Sequence, residues 1–482
     1  MGPGSPRAPR SAFTVTATAT ATAEGPRARS SRMPAAWDAL VVGAGAAGIL
    51  AAERLAARGH RVLVLEAGPR LRPRGRTPDV DRRAWPYTTV GLSYDWYRVR
   101  AVAGRTLLWG GWSYRLPDTV LRRGGWPYGG EALAPYYVEL ERRLGVVEGQ
   151  LDERYVAAAR ALDLTIVPKR GAVMARDAVW TPARSSMARR ARVHTIGLSL
   201  EHSRRRAAVL RAFDLRTERV HALRARTFIL AASPIETTRV LLESELGRAG
   251  AGIGRGLVDH MVASYVLVEP APPPPREGRG PFPGAALVES FVNRGPDTAR
   301  PYPGGFSIEL SGPMPLEAVN LERMERGAEG SMRATLIHAL GETFPCRRRF
   351  VDLDPARRDA AGRRVPRLHL AWARAERQLA ADMRLACTQL ADALAIPGSR
   401  VLRLADPLQP GAGHEAGTCA MGADARAPAD AWGRLRALDN VWVADASALP
   451  TAGDRHPTLT ALAHALRVAD DVARHLAHAS PA

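Results

Sequence analysis

The first strong hydrophobic signal along the chain is an unbroken apolar run, Ala39-Leu40-Val41-Val42, which ends in Gly43-Ala44-Gly45-Ala46-Ala47-Gly48. A run this short reads as a strand buried on both faces. From Ile49 to Leu55 the pattern turns helical, and a second run, Val62-Leu63-Val64-Leu65, closes on Glu66. The pattern predicts strand, tight glycine turn, helix, strand and acidic residue, in that order.

Helical spacing returns with Leu133, Tyr136, Tyr137, Leu140 and Leu144. Val209–Leu215 and Val220–Leu223 read as a hairpin. Thr227–Ala232 reads as a buried strand running into a helix, Thr237–Glu243. Phe306–Leu310 and Met332–Ile337 alternate, which predicts an antiparallel sheet with one wet face. A helix follows over 376–395, with Leu379, Met383, Cys387, Leu390 and Leu394 on one side. The tail repeats the opening motif: a strand, Asn440–Asp445, a turn, and a long helix from Thr458 to Leu476.

Composition narrows this picture. At 482 residues the chain is long enough for more than one domain, and its 46% hydrophobic content is that of an ordinary globular protein. The formal charge is +20, but the arginines are spread along the chain and Lys169 is the single lysine. Nucleic-acid binding needs clustered basic residues with stacking aromatics, so it is not expected. Cys346, Cys387 and Cys419 are far apart, which argues against a disulfide framework or metal site and fits the cytoplasm. No apolar run approaches the ~20 residues of a transmembrane helix. Residues 1–36 are low in complexity, with Thr/Ala alternation between Arg/Pro/Ser-rich pieces. They read as a disordered tail, or as an extension ahead of a start at Met33. Residues 270–280 read as a loop or linker.

Two features carry chemistry. The first is the opening G-x-G-x-x-G. Gly43 permits the turn, Gly45 lets backbone approach a pyrophosphate, and Gly48 lets the helix pack on the strand. The helix N-terminus offers free N–H groups to phosphates, and Glu66 can bind ribose hydroxyls. The second is a pair of histidines, His414 in H-E-A-G-T-C-A-M-G and His456 in G-D-R-H-P-T. Both flank the strand ending at Asp445. A neutral imidazole there can take a hydroxyl proton at neutral pH. The other histidines read as structural.

With these blocks in view, the chain resembles the glucose–methanol–choline (GMC) oxidoreductases, which use FAD to oxidise alcohols. Four stretches carry the resemblance: V-V-G-A-G-A-A-G with L-E-A-G-P; G-R-T-L-L-W-G-G-W-S-Y-R-L-P; A-A-S-P-I-E-T-T-R-V-L-L-E-S with G-L-V-D-H; and the tail from His414 to Thr460. The resemblance implies an α/β fold: a Rossmann-like FAD domain from 37–155, 205–262 and 410–482, and an antiparallel-sheet substrate domain from 156–204 and 263–409. It implies His414 as catalytic base and His456 as the partner that holds the substrate oxygen. Gly43, Gly45, Ala46, Gly48, Glu66 and Ala67 fall on ADP-binding positions. Arg105, Thr106, Trp109 and Gly110 fall on the segment lining the flavin. Asp445, Ala446, Pro457 and Thr458 fall beside the ribityl chain and pyrophosphate, and Val193 on the strand contacting adenine.

Some residues depart from the pattern. Ala103 stands where a glycine commonly precedes Gly104, and Ser233-Pro234 replaces a usual Gly-Ala. Residues 104–115 contain no histidine, so the resemblance implies non-covalent FAD. Two other readings stay open at this point: a nicotinamide-dependent Rossmann dehydrogenase, and a flavin-binding partner protein without turnover. The substrate expected is a small-molecule alcohol, sugar-like or otherwise small and polar. The sequence leaves the electron acceptor open between oxygen and another acceptor.

Overall fold

The computed structural model describes residues 37–71, 84–174, 179–249, 252–272, 282, 284–289, 291, 300–316, 332–411 and 413–478. The expected tail, residues 1–36, and most of the 270–280 linker lie outside them.

The first sheet is built around β1 (Trp37–Val42), which pairs in parallel with β2 (Val62–Leu65) and with β9 (Arg219–Leu230). β17 (Val441–Val443) pairs in parallel with the far end of β9. The tail of the chain thus lies two strands from its first strand. Alternate residues of β1 enter two different cores: Leu40 and Val42 one, Ala39 and Val41 the other. An apolar run without alternation is what burial on both faces demands. α1 (Ala46–Ala57) and α8 (Thr458–His478) share the second core, where Ile49, Leu55, Val468 and Val472 are fully buried. α5 (Ser186–Arg190) joins them through Met187 and Ala188. α3 (Gly130–Leu144) packs its Leu133, Tyr137, Leu140 and Leu144 into the first core, as its spacing predicts, beside α2 (Asp118–Arg123).

The first half of β9 forms the expected hairpin with β8 (Arg206–Asp214), and β7 (Thr195–Ser203) adds to β8. Residues 195–203 therefore belong to this first sheet, not with the substrate-side residues to which the sequence reading gave 156–204. The hydrogen bonds of β7 with β8 decide the matter, and no local pattern announced them.

The second sheet is antiparallel throughout, in the order β16 (Arg400–Ala405), β10 (Met261–Glu269), β13 (Arg333–Gly341), β12 (Phe306–Pro315), β11 (Ala286–Val288), β5 (Ile166–Pro168). α7 (Arg374–Leu394) packs on β13 and β10, and its Leu379, Met383, Cys387 and Leu390 share one core with Phe306, Ile308 and Leu310 of β12; α4 (Glu153–Ala161) adds Tyr155 and Ala158 to it. The opposite face of β12 was expected to be wet but is buried. There Ser307 donates to the Asp454 carbonyl at 2.6 Å, so a loop from the tail covers that face. A three-stranded sheet of β14 (Phe350–Arg358), β15 (Arg364–Leu370) and β3 (Thr88–Gly91) stands apart, and β4 (Val146–Glu148) pairs with β6 (Arg170–Ala172). Among the described residues no helix is long and apolar enough to cross a membrane.

Candidate active site

The carboxyl ends of β1, β9 and β17 lie side by side. Ala231 donates its N–H to Val42 O, and Ala444 donates to Leu230 O, each at 2.8 Å. A helix follows each of these ends: α1 after β1, α6 (Pro234–Glu243) after β9, and α8 after β17. Open α/β sheets bind ligands in the crevice at such ends, where helix N-termini present unpaired N–H groups. Here the crevice is a cavity of about 450 Å³, a size typical of cofactor and small-molecule sites.

The glycine turn fits close backbone approach. Gly43 has φ +106°, and a Cβ there would fall 2.3 Å from Ala231 O. A Cβ on Gly45 would meet nothing within 4 Å, so that position faces open space in the cavity. Gly48 does not line the cavity. A Cβ there would lie 2.0 Å from Gly43 O, which makes it a packing residue. Glu66 accepts from the N–H groups of Ala44 (3.0 Å) and Gly68 (2.8 Å), which fix its carboxylate at the cavity wall. Its burial pushes its pKa up, against those hydrogen bonds.

Ala46, Ala67, Arg105, Thr106, Trp109, Gly110, Asp445, Ala446, Pro457 and Thr458 also line this cavity. Val193 does not. It packs against the core that α1 and α8 share, and Thr195, Ile196 and Gly197 supply the wall instead. Asp445 accepts from the Ser233 N–H (2.9 Å), the Thr237 hydroxyl (2.6 Å) and the Ser447 N–H (2.9 Å). Its oxygens thus hold the starts of α6 and of the turn after β17 together.

His414 and His456 line the same cavity, and their rings meet: His414 Nε2 lies 2.9 Å from His456 Nδ1. Their loops are held independently. The His414 N–H donates to Asp259 at 2.9 Å, and Tyr94 donates its hydroxyl to the same carboxylate at 2.7 Å. Burial and the nearby Glu415 carboxylate raise the pKa of Asp259. Arg105 donates to Gly413 O and pairs with Glu415 at 2.5 Å, which anchors the residues on both sides of His414. The His456 loop is fixed by Arg455, which pairs with Glu289 (2.6 Å) and Asp454 (2.9 Å).

Three residues join this pair that the sequence reading did not assign. His260, at the foot of β10, is fully buried, with Nδ1 2.9 Å from His414 Nδ1. Glu309 on β12 lies 2.8 Å from His456 Nε2, an ion-pair distance without hydrogen-bond alignment. Trp112 stacks on the His456 ring, with centroids 5.9 Å apart and planes 17° from parallel. Lys169 also lies against Trp112, 4.3 Å from the ring centroid, with its pKa lowered by burial to about 8. An acid in the apolar strand F-S-I-E-L was the available signal for Glu309, and the D-H pair before β10 was the signal for His260. Burial drives the pKa of His414 well below the usual imidazole value, and the neighbouring His456, His260 and Arg105 push the same way. Each of these influences favours the neutral form of the His414 imidazole.

This arrangement defines the class: a Rossmann-like dinucleotide-binding protein whose cavity carries a histidine pair from the tail of the chain. Sequence comparison agrees, since the NAD(P)-binding Rossmann-like domain family matches residues 41–95. The GMC oxidoreductase family matches residues 345–465, which contain His414 and His456. Together with the relatives below, these matches support the GMC oxidoreductase family for this chain. It is 29% identical to the paromamine 6'-oxidase of Streptomyces fradiae, across 92% of this chain and 93% of that protein. It is 28% identical to the 6'''-hydroxyparomomycin C oxidase of Streptomyces lividus, across 92% of each. Its fold matches the crystal structure of pyridoxine 4-oxidase from Mesorbium loti with a TM-score of 0.65 at 19% identity, covering 92% of this chain and all of the other.

Proposed function

We propose that this protein is an FAD-dependent oxidoreductase that converts an alcohol to a carbonyl compound, with His414 as base and His456 as the group that orients the substrate oxygen. The single observation behind this reading is that the glycine turn and both imidazoles line one cavity. The cavity fits FAD. Gly45 and the start of α1 would hold the pyrophosphate, with Gly43 making the turn. Glu66 and Ala67 would take the adenosine ribose. Arg105, Thr106, Trp109 and Gly110 would border the ring system, with Ala446, Pro457 and Thr458 beside the linking chain. FAD, when bound, supplies the two-electron acceptor for the hydride of the alcohol carbon.

The chain's own residues handle the proton. A hydroxyl that takes the place of the direct contact between the two rings gives its proton to Nε2 of His414 and accepts a hydrogen bond from Nδ1–H of His456. Trp112 and Glu309 hold the His456 ring from two sides, so the donor is aimed before substrate arrives. A general base of this kind is worth about 10²- to 10⁴-fold.

The substrate class we favour is a polar, carbohydrate-like alcohol. Two relatives matched over nearly their whole length are named as oxidases of 6'''-hydroxyparomomycin C and of paromamine, and Glu309 lies against His456, with the charged Asp454 and Arg455 just before it in the loop. The test is an anaerobic screen of aminoglycosides, sugars, polyols and aryl alcohols against the yellow holoenzyme. Bleaching of the flavin band by polar alcohols is the expected result, and admitting air then tells whether oxygen reoxidises it. A colourless purified protein, or a flavin that no alcohol bleaches, overturns the reading.

A further inference from the structure

We propose that His260 is a positioning residue: through the Gly453 carbonyl it sets which nitrogen of His414 carries a proton, and so keeps Nε2 of His414 free to act as base. This rests on the reading of His414 as base given above. The argument is a count of protons along a chain of four contacts.

His260 Nε2 lies 2.9 Å from Gly453 O. A carbonyl oxygen only accepts, so this nitrogen carries the hydrogen. A neutral imidazole has one ring hydrogen, which leaves Nδ1 of His260 bare. That bare nitrogen faces His414 Nδ1 at 2.9 Å. Two bare nitrogens at that distance would set lone pair against lone pair, so His414 carries its hydrogen on Nδ1. Its Nε2 is then bare. His456 Nδ1, 2.9 Å away, must donate to it. The fourth contact, His456 Nε2 to Glu309 at 2.8 Å, then needs one further hydrogen, on that nitrogen or on the Glu309 carboxyl. One backbone carbonyl therefore orders all three rings. The ring planes of each contacting pair stand at 86° and 80°.

Neutrality, which the count requires, has its own support. Burial lowers the pKa of His260 to about 4, and that of His414 falls well below the ordinary value. The groups facing His414 include His456, His260, Arg105 and His338, all of which oppose a charge on it. Asp454 and Glu309 favour charge on His260, but burial outweighs them. The opposite tautomer of His414 would put an N–H where the substrate hydroxyl must deliver its proton.

The direct test is ¹⁵N NMR of histidine-labelled holoenzyme near pH 7.5 without substrate, with the His414 signals identified by their loss in His414→Asn. The expected result is a protonated Nδ1 and a bare Nε2 on His414. A protonated Nε2 overturns the proposal, whether or not any alcohol is oxidised. Kinetics add a second readout. His260→Phe keeps an aromatic ring but neither nitrogen. It should slow flavin reduction on the order of 10²-fold, the low end of removing a base, with substrate affinity within about twofold. His260→Asn places an amide oxygen near the lost Nδ1 and should recover most of that loss. An unchanged rate in a folded His260→Phe enzyme contradicts the assignment.

Discussion

Ser233 sits at φ +77°, ψ 159°, and Ala103 at φ +77°, ψ −13°. Both are regions that L-residues with a Cβ occupy at a cost of about 1–3 kcal/mol. These are the two positions where the sequence departs from glycine in its resemblance to the family. Each borders the cavity: the Ala103 N–H donates to the backbone at Ala44 O at 2.7 Å, and the Ser233 N–H donates to the Asp445 carboxylate at 2.9 Å. Ser233→Gly removes the strain and keeps the N–H, while the added freedom of the unfolded chain offsets about 0.5–1 kcal/mol. A net stabilisation of about 1 kcal/mol is expected, read as a higher denaturation midpoint of the holoenzyme. A lower midpoint would show that the Ser233 side chain contributes more than its strain takes away. At this scale much of the site was legible. His414, His456 and the glycines stand in fixed local motifs, and all but Gly48 reach the cavity. Glu309 and His260 were not legible as site residues, because only the meeting of distant strands gives them partners. Val193 stands off the cavity wall, which its neighbours two to four positions on form instead.

At the scale of elements, the helices and the parallel strands followed their periodicity, and the misreadings lie where pairing depends on distant contacts. β14 and β15 were expected with the antiparallel substrate-side strands, yet they pair with each other, β15 pairs with β3, and both meet α6. A buried ionic cluster joins them. Asp359, in the turn between β14 and β15, pairs with Arg363 and Arg239, each at 3.0 Å, and Arg363 pairs with Glu236 on α6 at 2.9 Å. Burial works against the Glu236 carboxylate, but Arg363, Arg239 and Arg100 hold its pKa far below the usual range. Glu236 and Arg363 also form part of the cavity wall. Such a cluster cannot be read from spacing, since its two halves, Glu236 with Arg239 and Asp359 with Arg363, lie more than a hundred positions apart. Asp359→Ala would leave two nearly buried guanidinium groups short of a partner. Breaking a buried pair on one side costs about 3–5 kcal/mol. A denaturation midpoint lowered by that order is expected, together with weaker FAD retention. An unchanged midpoint would show that water or Glu236 compensates for the lost carboxylate.

For the molecule as a whole, the organising fact is the return of the tail to the head. β17 completes the parallel ladder that β1 begins, and the loops on either side of β17 carry both imidazoles to the cavity edged by the glycine turn. The sequence contained this in outline, because its last hundred residues repeat the strand–turn–helix order of its first. The depth of the substrate side was less visible. The apolar side chains of β12 share the core of α7, and on its other face Ser307 and Glu309 meet the 453–456 loop, so that face is not solvated. The high positive charge also takes on structure here: many arginines serve in buried or half-buried pairs such as Arg455 with Glu289 and Arg123 with Glu342.

The measurement that bears most directly on this account is anaerobic stopped-flow reduction of the bound flavin by a substrate alcohol, in the wild type and in His414→Ala. The variant should purify yellow, because Gly43, Gly45 and Glu66 are untouched, and should be reduced about 10²- to 10⁴-fold more slowly. Reduction at the wild-type rate would remove His414 from the chemistry and contradict the account.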